Sequence, residues 1–398
     1  MAHSSQTVPR EKTPGLEYSR VRGYRARKML PFAGPRPVLD NGLLWTVNGR
    51  IAQIGPYRQV KNEFSAPIHD LGEQTLTPGL VNAHTHLELS HLHNATQPGQ
   101  GFLPWVQSLI RHPLKQTAPE RIQGLVQDML DQGLAGVGDI SGHAWDHMYE
   151  VHAQLPIASR LFIEFLGFRP KPSPCWPVDT PPDAEFISAA GHALYSTSPD
   201  LLRRVKEWTT RYGRPFSMHL AEHIGEVELL SSGRGEFADF LRGRLFPASY
   251  TPPGCSPVAY AHRLGLLDQH TLAVHCVHLG RQDIALLANN KARVCICPRS
   301  NAYIGCGRAP VEDLYRAGIP LSLATDGLSS NHDLNLWNEA SYLAGMWEGN
   351  LSLTDLVAMI TINPARALGL DQVAGSLQPG KLGRFSLVPE DMQASMPV

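Results

Sequence analysis

The chain has 398 residues, 42% of them hydrophobic and 18% charged, with a formal net charge of −1. That length exceeds one small domain, and an apolar fraction of this size with so little charge excludes a disordered chain. Near-neutrality excludes an overall basic field for nucleic acid or anionic lipid, and no run of about 18 apolar residues is present to span a bilayer.

Residues 1–15 are polar and lack the apolar core of a secretory signal, so residues 1–16 read as a disordered arm. Next come short β-branched and aromatic segments, 41–47 and 50–54, the latter followed by Gly55-Pro56, with the texture of antiparallel strands. The far end repeats it, with a turn at 375–380 and a strand at 384–388. Both ends are expected to pair into one small β-sandwich domain, residues 17–76 with 367–398. Six cysteines (Cys175, Cys255, Cys276, Cys295, Cys297 and Cys306) sit mostly in apolar runs. They read as buried, reduced thiols of a cytoplasmic protein. Cys295 and Cys297 lack the second cysteine pair of a thiolate metal site.

Between the ends, apolar strands alternate with helices. The strand candidates are 76–86, 136–140, 160–166, 186–196, 215–220, 271–277, 292–297 and 320–326; helical patterns fall at 119–133, 201–212, 281–289 and 311–317. Eight such units over 77–366 predict a (β/α)₈ barrel, with an open doubly wound sheet as the alternative.

Barrel enzymes carry their chemistry at the C-terminal strand ends. The first strand ends in His84-Thr85-His86, the fifth in His219 with Glu222 beyond it, the sixth in His275 and the eighth in Asp326. Residues two apart on a strand share a face, so His84 and His86 converge on the axis. Three imidazoles and a carboxylate suit one catalytic divalent ion with an open position for water. Strand four ends near His192 and Ser196 without the lysine a binuclear site needs, and Lys171 reads as solvated in a proline-rich loop. Other histidine pairs are weaker. His91 and His93 fall in a polar loop, and His143 and His147 lack the glutamate of an HExxH helix. His223 falls beyond the strand-five turn, and the direction of His278 is open.

The motifs Thr77-Pro-Gly-Leu-Val-Asn-Ala-His-Thr-His86, His192-Ala-Leu-Tyr-Ser-Thr-Ser-Pro199, His219-Leu-Ala-Glu222, His275-Cys-Val-His-Leu279, Cys297-Pro-Arg-Ser-Asn301 and Thr325-Asp-Gly-Leu-Ser-Ser-Asn331 resemble the deaminase and chlorohydrolase branch of the amidohydrolase superfamily. The resemblance runs from about residue 39 to 388. It implies His84, His86, His219 and Asp326 as ligands of one zinc or iron(II) ion. It also implies Glu222 and His275 as the proton-handling pair, with Asp326 as the base. The segments 86–90, 102–105 and 326–331 look most like aminodeoxyfutalosine deaminases of menaquinone synthesis; S-adenosylhomocysteine and methylthioadenosine deaminases come next. Gly383-Arg384 departs from the usual Ala-Asp. The acidic residue that often precedes the position of Trp105 is absent, since Leu103 and Pro104 stand there. A carboxylate for ribose must then come from elsewhere, with Glu88 the candidate and a surface or helix-capping carboxylate its alternative. Trp105, His192 and Ser196 complete the expected substrate contacts.

The function these readings imply is hydrolytic deamination of an aminated purine nucleoside, a small-molecule substrate, by a possible homodimer. Chloride or alkylamine displacement from a triazine is the competing chemistry. Amide-ring hydrolysis is disfavoured by the missing lysine, and a scaffold with a dead barrel by retention of the whole ligand set.

Overall fold

The computed structural model describes residues 20–396 except 35, 36, 117, 169–183, 248 and 350. The expected arm at 1–16, Cys175 and Lys171 lie outside the described residues. Eight strands form one parallel sheet in sequential order: β6 (Leu80–Thr85), β7 (Leu134–Ser141), β8 (Ala158–Phe165), β9 (Ile187–Gly191), β10 (Phe216–Leu220), β11 (Thr271–His275), β12 (Arg293–Ile296) and β13 (Leu321–Leu323). Every residue of β7, β9, β10 and β11 is buried. Helices cover one face of a parallel strand and a packed interior the other, so these strands read as continuous apolar runs.

Alternation sorts the strand residues into two layers. Leu161, Ile163, Ile187, Ala189, Phe216 and Met218 pack outward with Leu202, Val205 and Trp208. The last three lie on the helix Pro199–Arg211, which Ser198 caps by accepting the N–H of Leu201, with Pro199 in its first turn. Phe162, Ala190, Leu272, Val274, Cys295, Cys297 and Ala324 pack inward. Phe162 is fully buried there, and truncating a core phenylalanine to alanine costs about 3–5 kcal/mol. The seam between the first and last barrel strands is closed by one side-chain and one backbone hydrogen bond. Asn82 Nδ2 donates to Thr325 Oγ1 at 2.7 Å, and the N–H of Asp326 to the carbonyl of His84 at 3.2 Å.

The two chain ends do pair. β14 (Phe385–Leu387), β5 (Thr75–Pro78), β1 (Val21–Met29), β2 (Leu39–Val47) and β3 (Arg50–Pro56) run side by side, and β4 (Ile68–Asp70) adds to β1. The expected sandwich is realised as one six-stranded mixed sheet with apolar clusters on both faces. Ala26, Met29, Leu44 and Leu76 form one; Leu43, Trp45 and Val60 form the other.

The expected strand 76–86 is two strands, β5 in the small sheet and β6 in the barrel, broken at Gly79. A Cβ there would stand 2.5 Å from that of Ala135 and 2.9 Å from the carbonyl oxygen of Gly133, so only glycine lets the chain pass between the sheets. Among the described residues no helix is long and apolar enough to cross a membrane.

Candidate functional site

The expected polar residues gather at the C-terminal mouth of the barrel, and several arrive there by irregular backbone. Val81 and Ala83 lie in the interior cluster, so a regular β6 would turn His84 outward. The register against β7 shifts between Asn82 and Thr85, and the shift brings His84 round. On β11, Leu272 and Val274 point inward, which on a regular strand would aim His275 at the helices. His275 and Cys276 instead adopt φ of 72° and 50°, and the imidazole turns into the barrel, 5.5 Å from the ring of His219. Asp326, just beyond β13, has φ of 56°. Left-handed backbone at a non-glycine residue costs roughly 1–3 kcal/mol and persists where surrounding structure enforces it.

Ligand atoms of His84, His86 and His219 lie within 4.8 Å of one another. Asp326 Oδ1 stands 3.5 Å from His84 Nε2 and 3.6 Å from His86 Nε2. The other oxygen of Asp326 accepts from Ser300 Oγ and Ser330 Oγ, both at 2.7 Å, which directs Oδ1 at the histidines. His219 Nδ1 pairs with the carbonyl of His192 at 2.9 Å, so the proton sits there and Nε2 keeps its lone pair. Burial, with neighbouring imidazoles, pushes His86 down to about 3 and His219 well below its usual range. The rings are therefore neutral, the form that ligates. Neither ring nitrogen of buried His84 has a hydrogen-bond partner among the described residues, and orphaned polar atoms of this kind are expensive. These residues fit a single divalent ion held by three imidazoles and a carboxylate.

Beside this cluster, Glu222 Oε1 lies 3.6 Å from His275 Nε2. Burial, reinforced by Asp326 and Glu226, pushes the Glu222 carboxyl well above the ordinary range, which favours its protonated form. Its backbone N–H donates to Glu226 Oε2 at 3.0 Å. His275 Nδ1 pairs with Asn301 Oδ1 at 3.0 Å, and burial lowers the ring to about 4. A neutral imidazole with its proton on Nδ1 leaves Nε2 to accept one. The mouth thus offers a proton donor and two acceptors around one point.

The expected substrate residues fare unequally. His192 and Ser196 lie just beyond β9 rather than on it, hydrogen-bonded to each other through Nδ1 and Oγ. Burial, with nearby histidines, lowers His192 to about 4. Trp105, on the helix Phe102–Leu109, donates its indole N–H to the carbonyl of Ser329 at 2.9 Å, in the loop that follows Asp326. Glu88 is engaged elsewhere. Its carboxylate accepts from Ser141 Oγ and from the N–H groups of Gly142 at 3.0 Å, His143 at 3.2 Å and Ala144 at 2.9 Å. Both oxygens serve the loop after β7, ahead of the helix Trp145–Ala153, and neither is left for ribose.

Of the other histidines, His223 caps the helix Ile224–Ser232 and stacks on Phe102 with centroids 3.8 Å apart. His278 pairs with the carbonyl of Cys306 at 2.8 Å, and His91 and His93 with loop carbonyls. Sequence reasoning passed over Ser300, Ser330 and Asn301, although all three sit inside motifs it quoted. It also passed over Glu164, an acid near the end of an apolar strand whose carboxylate forms a second close group with His192 and His219.

Residues 75–397 match the family model described as "Amidohydrolase family". A 5-methylthioadenosine/S-adenosylhomocysteine deaminase from Moorella thermoacetica is 29% identical, over 92% of this chain and 87% of its own length. One of the same name from Syntrophobacter fumaroxidans is also 29% identical, over 88% and 80%. Among solved structures, an adenosine deaminase from Xanthomonas campestris with bound zinc is 25% identical, with a TM-score of 0.73 over 92% of this chain and 84% of that one. A Helicobacter pylori aminofutalosine deaminase in complex with methylthio-coformycin shares the fold at a TM-score of 0.79 and 23% identity, covering 92% and 91%. The chain belongs to the amidohydrolase family and is an enzyme of the hydrolytic deaminase type.

Proposed function

We propose that this enzyme deaminates an adenosine-type nucleoside, using one zinc or iron(II) ion held by His84, His86, His219 and Asp326. The observation that carries the reading is a buried Glu222, its Oε1 3.6 Å from His275 Nε2, at the same mouth as three converging imidazoles and Asp326. When bound, the metal supplies a Lewis acid that lowers the pKa of water from 15.7 toward about 7. Asp326 Oδ1, free of the two serines, takes a proton from the attacking water. His275, fixed through Nδ1 by Asn301, orients that water with Nε2. Glu222 delivers its proton to the ring nitrogen beside the attacked carbon, so negative charge does not build up on the ring. Return of a proton to the exocyclic amine lets ammonia leave, with oxygen in its place. Acid–base help of this kind is worth about 10²–10⁴-fold per group.

Within adenosine-type substrates we place 5′-modified nucleosides first: 6-amino-6-deoxyfutalosine, then S-adenosylhomocysteine and methylthioadenosine. The names of the curated relatives support that class. His192, Ser196 and Trp105 border the pocket for the ring and its substituents. The division into a barrel at 77–366 and an accessory domain from 17–76 and 367–398 belongs to the same proposal. A panel of these nucleosides with free adenine, guanine, cytosine and a chlorinated triazine, read by ultraviolet absorbance, tests the reading. Turnover of 5′-modified adenosines well above the free bases supports it; preference for the triazine or a free base overturns it.

A further inference from the structure

Glu164 has no part in the chemistry above, yet it is placed as a ligand-facing group. On β8 it lies two residues beyond Phe162, which packs into the barrel interior, so its side chain points inward at the mouth. The side chain is 7% exposed, and Oε1 has no hydrogen-bond partner among the described residues. The nearest ring nitrogen facing it, His219 Nδ1, is 3.7 Å away, beyond hydrogen-bond reach, and already pairs with the carbonyl of His192 at 2.9 Å. Glu164 therefore neither orients His219 nor shares a second cation with it, because the nitrogen it faces carries a committed proton. On its other side the carboxylate is crowded: a Cβ at Gly142 would stand 3.2 Å from Oε2. The Gly142 N–H that could have served it goes to Glu88 instead.

A buried carboxylate oxygen without a donor is costly, and this one lies at the inward-facing end of β8, beside His219 at the barrel mouth. Among the described residues none donates to Oε1, which leaves that hydrogen bond for a ligand to make. We infer that Glu164 accepts hydrogen bonds from a donor-bearing edge of the substrate and selects for ligands that carry it. This rests on the nucleoside reading above. Two parts of such a ligand offer that chemistry: the vicinal hydroxyls of ribose, and an amino group on the ring edge away from the reacting carbon. Glu164 would then do what the sequence assigned to Glu88.

The test uses the metal-loaded enzyme and its Glu164→Ala variant, each assayed on the best adenosine-type substrate. One arm compares that substrate with its 2′,3′-dideoxy analogue, the other adenine with 2,6-diaminopurine in the same nucleoside. The wild type should favour the donor-bearing partner in one arm by about 5- to 150-fold in kcat/KM, the cost of an unpaired buried acceptor. In Glu164→Ala that ratio should collapse toward one, through KM more than kcat, with metal content unchanged. The arm that collapses names the donor. Glu164→Gln keeps the shape, turns N–H groups toward the same edge, and should give the same collapse if the alanine variant folds poorly. Unchanged ratios in both arms, or loss of the metal with no change in ratio, overturn the assignment. A wild type that deaminates no nucleoside overturns the function reading itself, and this inference with it.

Discussion

Replacing Glu88 separates a structural carboxylate from a substrate-binding one. The residue is 2% exposed. Truncation to alanine strands Ser141 Oγ and the backbone N–H groups of Gly142, His143 and Ala144. Each buried donor left without a partner costs about 1–3 kcal/mol, and entering water recovers part of it. A loss of roughly 3–6 kcal/mol is expected, a large share of the 5–15 kcal/mol typical of a folded domain. Glu88→Gln retains one acceptor oxygen and sets an amide N–H₂ against the remaining backbone donors, so roughly 1–3 kcal/mol is lost. Urea unfolding at saturating metal, followed by tryptophan fluorescence, reads both variants. The native fraction of Glu88→Gln should keep KM for nucleosides within about threefold of wild type, since a loop cap makes no substrate contact. A variant as stable as wild type with KM raised tenfold or more would refute the capping role and restore Glu88 to the ribose.

His86→Ala should reduce metal from about one ion per chain to a small fraction, by elemental analysis, while circular dichroism stays that of the folded barrel. Glu222→Gln should retain the metal and lose kcat by orders of magnitude; a kcat near wild type would make Glu222 a bystander. Burial raises the Glu226 carboxyl to about 8. Because an unfolded glutamate titrates near 4.3, the folded state holds the extra proton between those values. Stability should therefore fall as pH rises from about 5 to 8, with a slope of at most about 1.4 kcal/mol per unit from this group. Glu226→Gln should flatten that fall in pH-dependent unfolding midpoints, and an unchanged slope would assign it to other groups.

What could be read from the sequence follows the reach of local rules. His219 follows the strand alternation and Asp326 ends an apolar run, while His84 and His86 were legible from their motif and strand-end position, although His84 turns inward only through the register shift between Asn82 and Thr85. The direction of His275 does not follow from alternation, because its inward aim depends on positive φ at two residues. Glu88 was misdirected for a related reason: its partners sit 53–56 positions away, and nothing near it in the chain announces them. Glu164 carries no local signal in the sequence, and only the barrel brings it beside His192 and His219. The break at Gly79 was hidden because residues 76–83 read as one mostly apolar run, while its cause is a close approach of Ala135 and Gly133 in space.

The account stands or falls on ammonia released from a 5′-modified adenosine by metal-loaded, chelator-stripped and reconstituted enzyme. It predicts one ammonia per hydroxylated product, loss of turnover on stripping, and recovery on adding zinc or iron(II). Turnover that survives complete removal of the metal, or no ammonia from any adenosine-type nucleoside with the metal bound, would contradict it.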